Sequence, residues 1–240
     1  MRLPSGEKKF PSGKFKSTFT VSSVVAVTFD LFGTLVAVDR PADPASAVGA
    51  ELRERDVGVP DDWPAAYAER HVDAPEGGEV PLPAHVAAAL RSRGVDVPNN
   101  AARRAVVGAF DPTVRTRRGA ADAVAAAADR GPVGLLSNCS VPELVSRTLI
   151  RSTLERSAFD AVVTSVGCGW RKPHAKAFEA VARKLDVDPE SLVHVGDDDA
   201  TDGGIASLGG TFVDVAEHDL DAVATRLRQG ESLGGAASCR

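Results

Sequence analysis

Residues 25–36, VAVTFDLFGTLV, run an apolar pattern into the single carboxylate of Asp30 and then into Phe32-Gly33-Thr34. The apolar part, Val24 to Phe29, is continuous rather than alternating, as expected of a strand covered on both faces in a parallel sheet. Val133 to Leu136, Ala161 to Val166, Leu192 to Val195 and Thr211 to Val215 repeat the pattern. Helical patterns at Val141 to about Leu154, His174 to Leu185 and Asp199 to Leu208 separate the last four. Recurring strand-helix-strand order predicts an α/β fold with a doubly wound parallel sheet. Ligands of such sheets bind beyond the carboxyl ends of the strands, which puts Asp30 at the rim where chemistry is expected.

The interval between the first strand and the second is too long for one crossover helix. "PADPASAVGAELRER", "AHVAAALRSRG" and "NNAARRAVVGAF" read as helices, with "PDDWP" and "APEGGEVPLP" as breaks between them. Residues 39–112 are therefore expected to form a small helical insertion, and residues 24–38 and 113–228 the α/β core. The Ala-rich "GAADAVAAAADRG" reads as the return helix, and Ser140 with Glu143 fits a capping box that starts the helix after the second strand. The segment from Gln229 to Arg240 is expected to be a disordered tail.

The first 23 residues hold Arg2, Glu7 and four of the seven lysines, a net +4 in a chain of −5, so residues 24–240 carry −9. This stretch is expected to be a disordered extension, since its Ser- and Thr-rich middle does not suit a secretory signal. With no basic cluster beyond it, the chain lacks the electrostatic footprint of a nucleic-acid partner. No run approaches the roughly 18 to 20 uncharged residues of a membrane span. Cys139, Cys168 and Cys239 form an odd, scattered set that suits a reducing compartment, and a cytoplasmic location is expected. The sequence specifies no oligomeric state, and the expected partner is a small molecule.

Four polar groups fall at strand ends: Asp30, Ser137 with Asn138, Lys172, and an acidic run of Asp197, Asp198, Asp199 and Asp202. Carboxylates, a hydroxyl, an amide and an ammonium on one rim suit a divalent cation together with an anion. Hard oxygen ligands point to Mg²⁺, which binds through one or two carboxylates plus substrate phosphate. The Gly33-Thr34 backbone and the helix after Ser140 are expected to offer amide donors. Asp30 has the chemistry of a nucleophile that divides a phosphoryl displacement into two steps through an aspartyl-phosphate.

"FDLFGTL", "LLSN", "RKPHAKAF" and "HVGDDDATDGG", in that order, resemble the four motifs of the haloacid dehalogenase superfamily of aspartate-nucleophile hydrolases, over essentially residues 24 to 215. The resemblance implies a Rossmann-like core with a helical cap that closes over the site. It implies Asp30 as nucleophile and metal ligand, and the backbone carbonyl of Phe32 as a second ligand. Gly33, Thr34, Ser137, Asn138 and Lys172 would contact the phosphoryl group. Asp197 would bind Mg²⁺, with Asp202 supporting it and orienting Lys172.

One departure matters. Phosphatases of this superfamily mostly carry D-x-D-x-T, whereas this chain has Asp30-Leu31-Phe32-Gly33-Thr34 and lacks the second acid. Such a general acid contributes about 10² to 10⁴ in rate. Dehalogenating members also lack it, because halide leaves unprotonated, so a 2-haloacid dehalogenase is the rival reading. Those members need no metal and tend to neutralise the first acid of the fourth motif, while this chain keeps Asp197 and Asp202. Unneutralised, so many carboxylates would raise one another's pKa, which favours a metal and phosphorus chemistry. A non-catalytic protein that keeps only a phosphate pocket is the third reading.

Simpler roles are expected elsewhere. Asp198 and Asp199 suit a helix start, Cys139 a small buried side chain, and Trp63, Tyr67 and Trp170 packing. His174 and His194 show no metal spacing. Arg40, Arg53, Arg91 and Arg103 belong to the insertion, as readers of an anionic substrate group or as solvated helix faces.

Overall fold

A computed structural model describes residues 26–98, 100–231 and 233 of the chain. Its centre is a parallel sheet built from β1 (Ala26–Phe29), β4 (Val133–Ser137), β5 (Ala161–Thr164), β6 (Leu192–Gly196) and β7 (Thr211–Asp214), in the order β5-β4-β1-β6-β7. The first strand of the sequence thus becomes the middle of the sheet. β1 pairs with β4 on one side and β6 on the other, with Phe29 opposite both Leu135 and Val195. All residues of β1, β4 and β6 are buried, which explains their unbroken apolar runs. Helices α5 (Ala120–Ala128), α6 (Leu144–Arg151), α8 (Ala175–Leu185) and α9 (Leu220–Gln229) accompany the strands, as the doubly wound reading requires.

A short antiparallel ribbon of β2 (Val36–Val38) and β3 (Val114–Thr116) brackets the inserted residues. Between its strands lie α1 (Pro44–Arg53), α2 (Trp63–Ala68), α3 (Leu82–Ser92) and α4 (Ala101–Ala109). α2 begins inside "PDDWP", which reads as a break. Pro64 sits in its first turn, where its missing N–H costs nothing, and Trp63 Nε1 donates to the Ala45 carbonyl at 2.7 Å. "APEGGEVPLP" is likewise more than a break: Gly78 bridges to Trp170, the Glu79 amide donates to the Gly169 carbonyl, and the Arg171 amide donates to the Gly77 carbonyl. The inserted segment is thereby tied to the loop that carries Lys172.

Several boundaries differ from the sequence reading. β5 stops at Thr164, whose side chain accepts from the Gly167 amide and turns the chain into the one-turn helix α7 (Ser165–Cys168). The Ser140–Glu143 capping box does not form. Glu143 adopts φ 66, its carboxylate accepts from Arg103 at 2.5 Å, and α6 begins only at Leu144. The helical pattern from Asp199 is a 3₁₀ segment, Asp202–Leu208. The expected tail begins too early: Gln229 closes α9, and Leu233 is buried in the core. Residues 1–23 and 234–240 lie outside the described residues, as do Val24 and Val25. Among the described residues, no helix is long and apolar enough to cross a membrane.

Candidate active site

Because β4, β1 and β6 stand side by side, the polar residues at their carboxyl ends meet. The Asp30 amide continues the ladder, donating to the Val195 carbonyl at 2.9 Å, and Ser137 closes β4. Asp197 follows β6, and Lys172 enters from the loop beyond α7. These residues, with Phe32, Asn138 and Asp202, line one cavity of about 290 Å³.

Lys172 organises the site. Its Nζ donates to Asp30 Oδ1 at 2.7 Å, to Asp202 Oδ1 at 2.5 Å and to the Leu136 carbonyl at 2.9 Å, and the residue is 3 % exposed. An ammonium has three donors, and all three are engaged. Burial raises the Asp30 carboxyl to about 6; Lys172 works against that shift, while Asp202 and Asp197 add to it. Asp202 is also desolvated, but the hydrogen bond from His194 and the charge of Lys172 outweigh this and hold its carboxyl well below the usual range. Its second oxygen, Oδ2, accepts from the amides of Asp197 and Asp198 at 3.2 and 3.3 Å.

The expected phosphate-binding residues divide into two groups. Ser137 Oγ is buried and has no hydrogen-bond partner, so it is an orphan polar atom beside Lys172 in the cavity wall. The others are already occupied. The Gly33 amide donates to the Val36 carbonyl at 2.8 Å, which removes it as an anion donor. Thr34 is fully buried, and its Oγ1 donates to Asp197 Oδ1 at 2.9 Å. Gly33 and Thr34 therefore seat Asp197: at φ +98, a Cβ on Gly33 would stand 2.1 Å from Asp197 Oδ2. Asn138 accepts from the Lys172 amide at 2.8 Å and donates to the Lys172 carbonyl at 2.9 Å, so both ends of its side chain fix the lysine loop.

Asp198 behaves as a turn residue, its carboxylate accepting from the Ala200 amide and the Thr201 hydroxyl. Asp197 lines the cavity with no basic side chain paired to it among the described residues. Also among the described residues, no group of three or more His, Cys, Asp or Glu is placed to hold a metal ion. Two carboxylates on adjacent strands, next to the Phe32 backbone, form instead an open oxygen set, which fits a hard cation that keeps water or substrate oxygens.

Two residues, Arg171 and His194, add to those expected from sequence, and Arg40 is the one of the four candidate arginines that reaches the cavity. Arg171 lines the cavity, and its position directly before Lys172 was a usable signal. Arg40, one of several arginines in the insertion, lines it as well. His194 lies beneath the site, fully buried, with Nε2 3.0 Å from Asp202 Oδ1 and Nδ1 2.9 Å from Thr28 Oγ1. A neutral ring that donates to Asp202 and accepts from Thr28 satisfies both contacts. The Thr28 contact spans 166 positions in sequence, so no local pattern announces it.

A family model described as haloacid dehalogenase-like hydrolase matches residues 24–209. Similar solved structures include CbbY from Rhodobacter sphaeroides in complex with phosphate, 19 % identical, covering 80 % of this chain and 85 % of that one at a TM-score of 0.53. A HAD phosphatase from Thermococcus onnurineus is 19 % identical over 79 % and 85 % of the two chains, with a TM-score of 0.51. A 2-haloacid dehalogenase from Pseudomonas syringae pv. tomato DC3000 is 18 % identical over 80 % and 86 %, with a TM-score of 0.53. No curated protein sequence matches the chain. At these identities the likeness concerns the fold, which phosphatases and a dehalogenase share.

Proposed function

The chain belongs to the haloacid dehalogenase-like hydrolase family, and from this premise we propose that it is a Mg²⁺-dependent phosphohydrolase acting on a small phosphorylated or phosphonate metabolite through an aspartyl-phosphate on Asp30. One observation carries the choice of phosphorus over halide. Asp197 lies in the Asp30 cavity without a basic partner among the described residues, and Gly33 and Thr34 hold it there. A metal-free dehalogenation has no use for a second unneutralised carboxylate, whereas a cation at Asp30, the Phe32 carbonyl and Asp197 gives it one. Bound there, Mg²⁺ would supply positive charge to the phosphoryl oxygens and favour the ionised form of Asp30.

Asp30 Oδ1 is held by Lys172, which leaves Oδ2 as the attacking oxygen. Its bond to phosphorus forms as the bond from phosphorus to the leaving group breaks. Water then attacks the acyl-phosphate, releases inorganic phosphate and restores the carboxylate. Lys172 acts on the transferring group as a fixed positive charge, held by Asp202 and the Asn138 clamp. The Ser137 hydroxyl is free to donate to a phosphoryl oxygen. Residues 39–112, read as the cap, contribute Arg40 to this cavity, and their Asp39, which lines the neighbouring cavity, is kept ionised by its hydrogen bonds from Arg115 and is no proton donor. The leaving group therefore needs little protonation or carries its own proton source.

Phe32, in place of an acid, is the observation that favours the second reading, a 2-haloacid dehalogenase. The test compares phosphate release from a panel of phosphorylated metabolites in Mg²⁺ with chloride release from 2-chloropropionate in EDTA. Phosphate release that needs the metal supports the proposal; metal-independent chloride release overturns it.

A further inference from the structure

Beside the polar cavity lies a second of about 210 Å³, and Phe32, Arg40, Asn138 and Arg171 line both. Its remaining walls include Val38, Phe110, Val141 and Leu144. The volume is below the roughly 300–1,000 Å³ of ordinary ligand clefts, so the group that enters is small. Asp39 and Ser140 also line it, and the Asp39 carboxylate is taken by Arg115 at 2.8 and 3.1 Å. Asn138 is committed to Lys172, and Cys139 Sγ to the Val141 carbonyl at 3.3 Å. Beyond Ser140, a polyhydroxylated body would find few partners for its hydroxyls there.

Charge enters at the boundary between the two cavities. Arg40 is exposed, its Cζ stands 5.8 Å from the centre of the Phe32 ring, and no carboxylate pairs with it among the described residues. Arg171 is held at 3.1 Å by Glu79, whose side chain is 3 % exposed and also accepts from Ser165 Oγ, while the arginine side chain remains 47 % exposed. A buried acid thus fixes a guanidinium at the cavity edge, which lowers the ordering cost of binding an anion. Nothing in the transfer of the phosphoryl group at Asp30 and Lys172 uses either arginine.

Resting on the phosphohydrolase reading, we propose that Arg40 and Arg171 select a small phosphorylated compound bearing a second negative charge, a carboxylate or another phosphoryl group, with its carbon body against Phe32, Phe110 and Val141. The scissile phosphoryl group sits at Asp30, and the second charge sits where the two cavities join.

The test measures kcat/KM in Mg²⁺ for two matched pairs whose enol or phenol leaving groups need little protonation, phosphoenolpyruvate against isopropenyl phosphate and resorcinol bisphosphate against phenyl phosphate. The charged member of at least one pair is expected to be favoured by about tenfold or more, and the preferred pair distinguishes carboxylate from phosphate. Arg40→Gln and Arg171→Gln should each lower that preference by about fivefold or more, with partial recovery in the lysine variants. Because Arg171 also neutralises Glu79, the Glu79→Gln/Arg171→Gln double variant removes the buried charge as well and should lose the preference to the same extent. Equal turnover within both pairs, or a preference untouched by the arginine changes, overturns the proposal while leaving the phosphohydrolase reading in place. Absence of phosphate release from every ester, p-nitrophenyl phosphate included, overturns that reading and the proposal with it.

Discussion

Lys172 Nζ lies 2.7 Å from Asp30 Oδ1 and 2.5 Å from Asp202 Oδ1, so one buried ammonium joins the end of β1 to the turn after β6. Lys172→Met removes the cation and leaves two buried carboxylates facing each other. Stability should fall by about 3–5 kcal/mol at pH 7, and part of the loss should return on acidification as Asp30 takes up a proton. Urea unfolding at pH 7 and pH 5 measures this, and an unchanged midpoint would remove Lys172 from the centre of the site.

Gly33 is required by Asp197. A methyl group at this position meets Asp197 Oδ2 at 2.1 Å, on a backbone whose φ of +98 already disfavours a side chain. Gly33→Ala should weaken Mg²⁺ binding by about 10- to 100-fold, read from calorimetry and from the Mg²⁺ dependence of phosphate release. An unaltered Mg²⁺ affinity would show that Asp197 does not bind the ion.

His194 gives the fold an acid-sensitive element. Burial is the main cause that lowers its pKa from 6.5 to about 4. The unfolded chain therefore binds the proton as pH falls through 6.5, while the folded chain resists it until about 4. This contribution is present above pH 6.5 and is lost as the pH falls across that interval. Asp30, raised to about 6, acts in the opposite sense. The difference in stability between the parent and His194→Gln, followed by thermal unfolding from pH 7 to pH 4, isolates the histidine. The variant should show the flatter acid limb; parallel limbs would contradict a neutral His194.

Cys139 lies close to the chemistry and should nevertheless be inert. Burial pushes its thiol up to about 11, so little thiolate exists at pH 8. In iodoacetamide labelling followed by peptide mapping, Cys168, which is only partly buried, should react before Cys139. Faster modification of Cys139 would contradict the packing around it.

The five strands, the inserted helices and the meeting of Asp30, Ser137, Lys172 and Asp197 are legible in sequence because continuous apolar runs fix the strands, and the parallel topology then fixes their ends. What sequence does not carry is competition from distant partners. Glu143 looks like half of a capping box until Arg103, 40 positions away, takes its carboxylate. The Gly33 amide looks free for an anion until the turn back to Val36 engages it. His194 looks idle because Thr28 comes from the first strand. Gly77 to Glu79 read as a break because their partners, Gly169 to Arg171, lie beyond the whole second strand unit.

The most direct test of covalent catalysis by Asp30 is to quench a reaction with acetyl phosphate and Mg²⁺ in acid and locate any phosphoryl adduct by peptide mass spectrometry. One phosphoryl group on the peptide carrying Asp30, absent in EDTA and in Asp30→Asn, is the expected result. Turnover with no adduct on Asp30, or an adduct that persists in Asp30→Asn, would contradict the account.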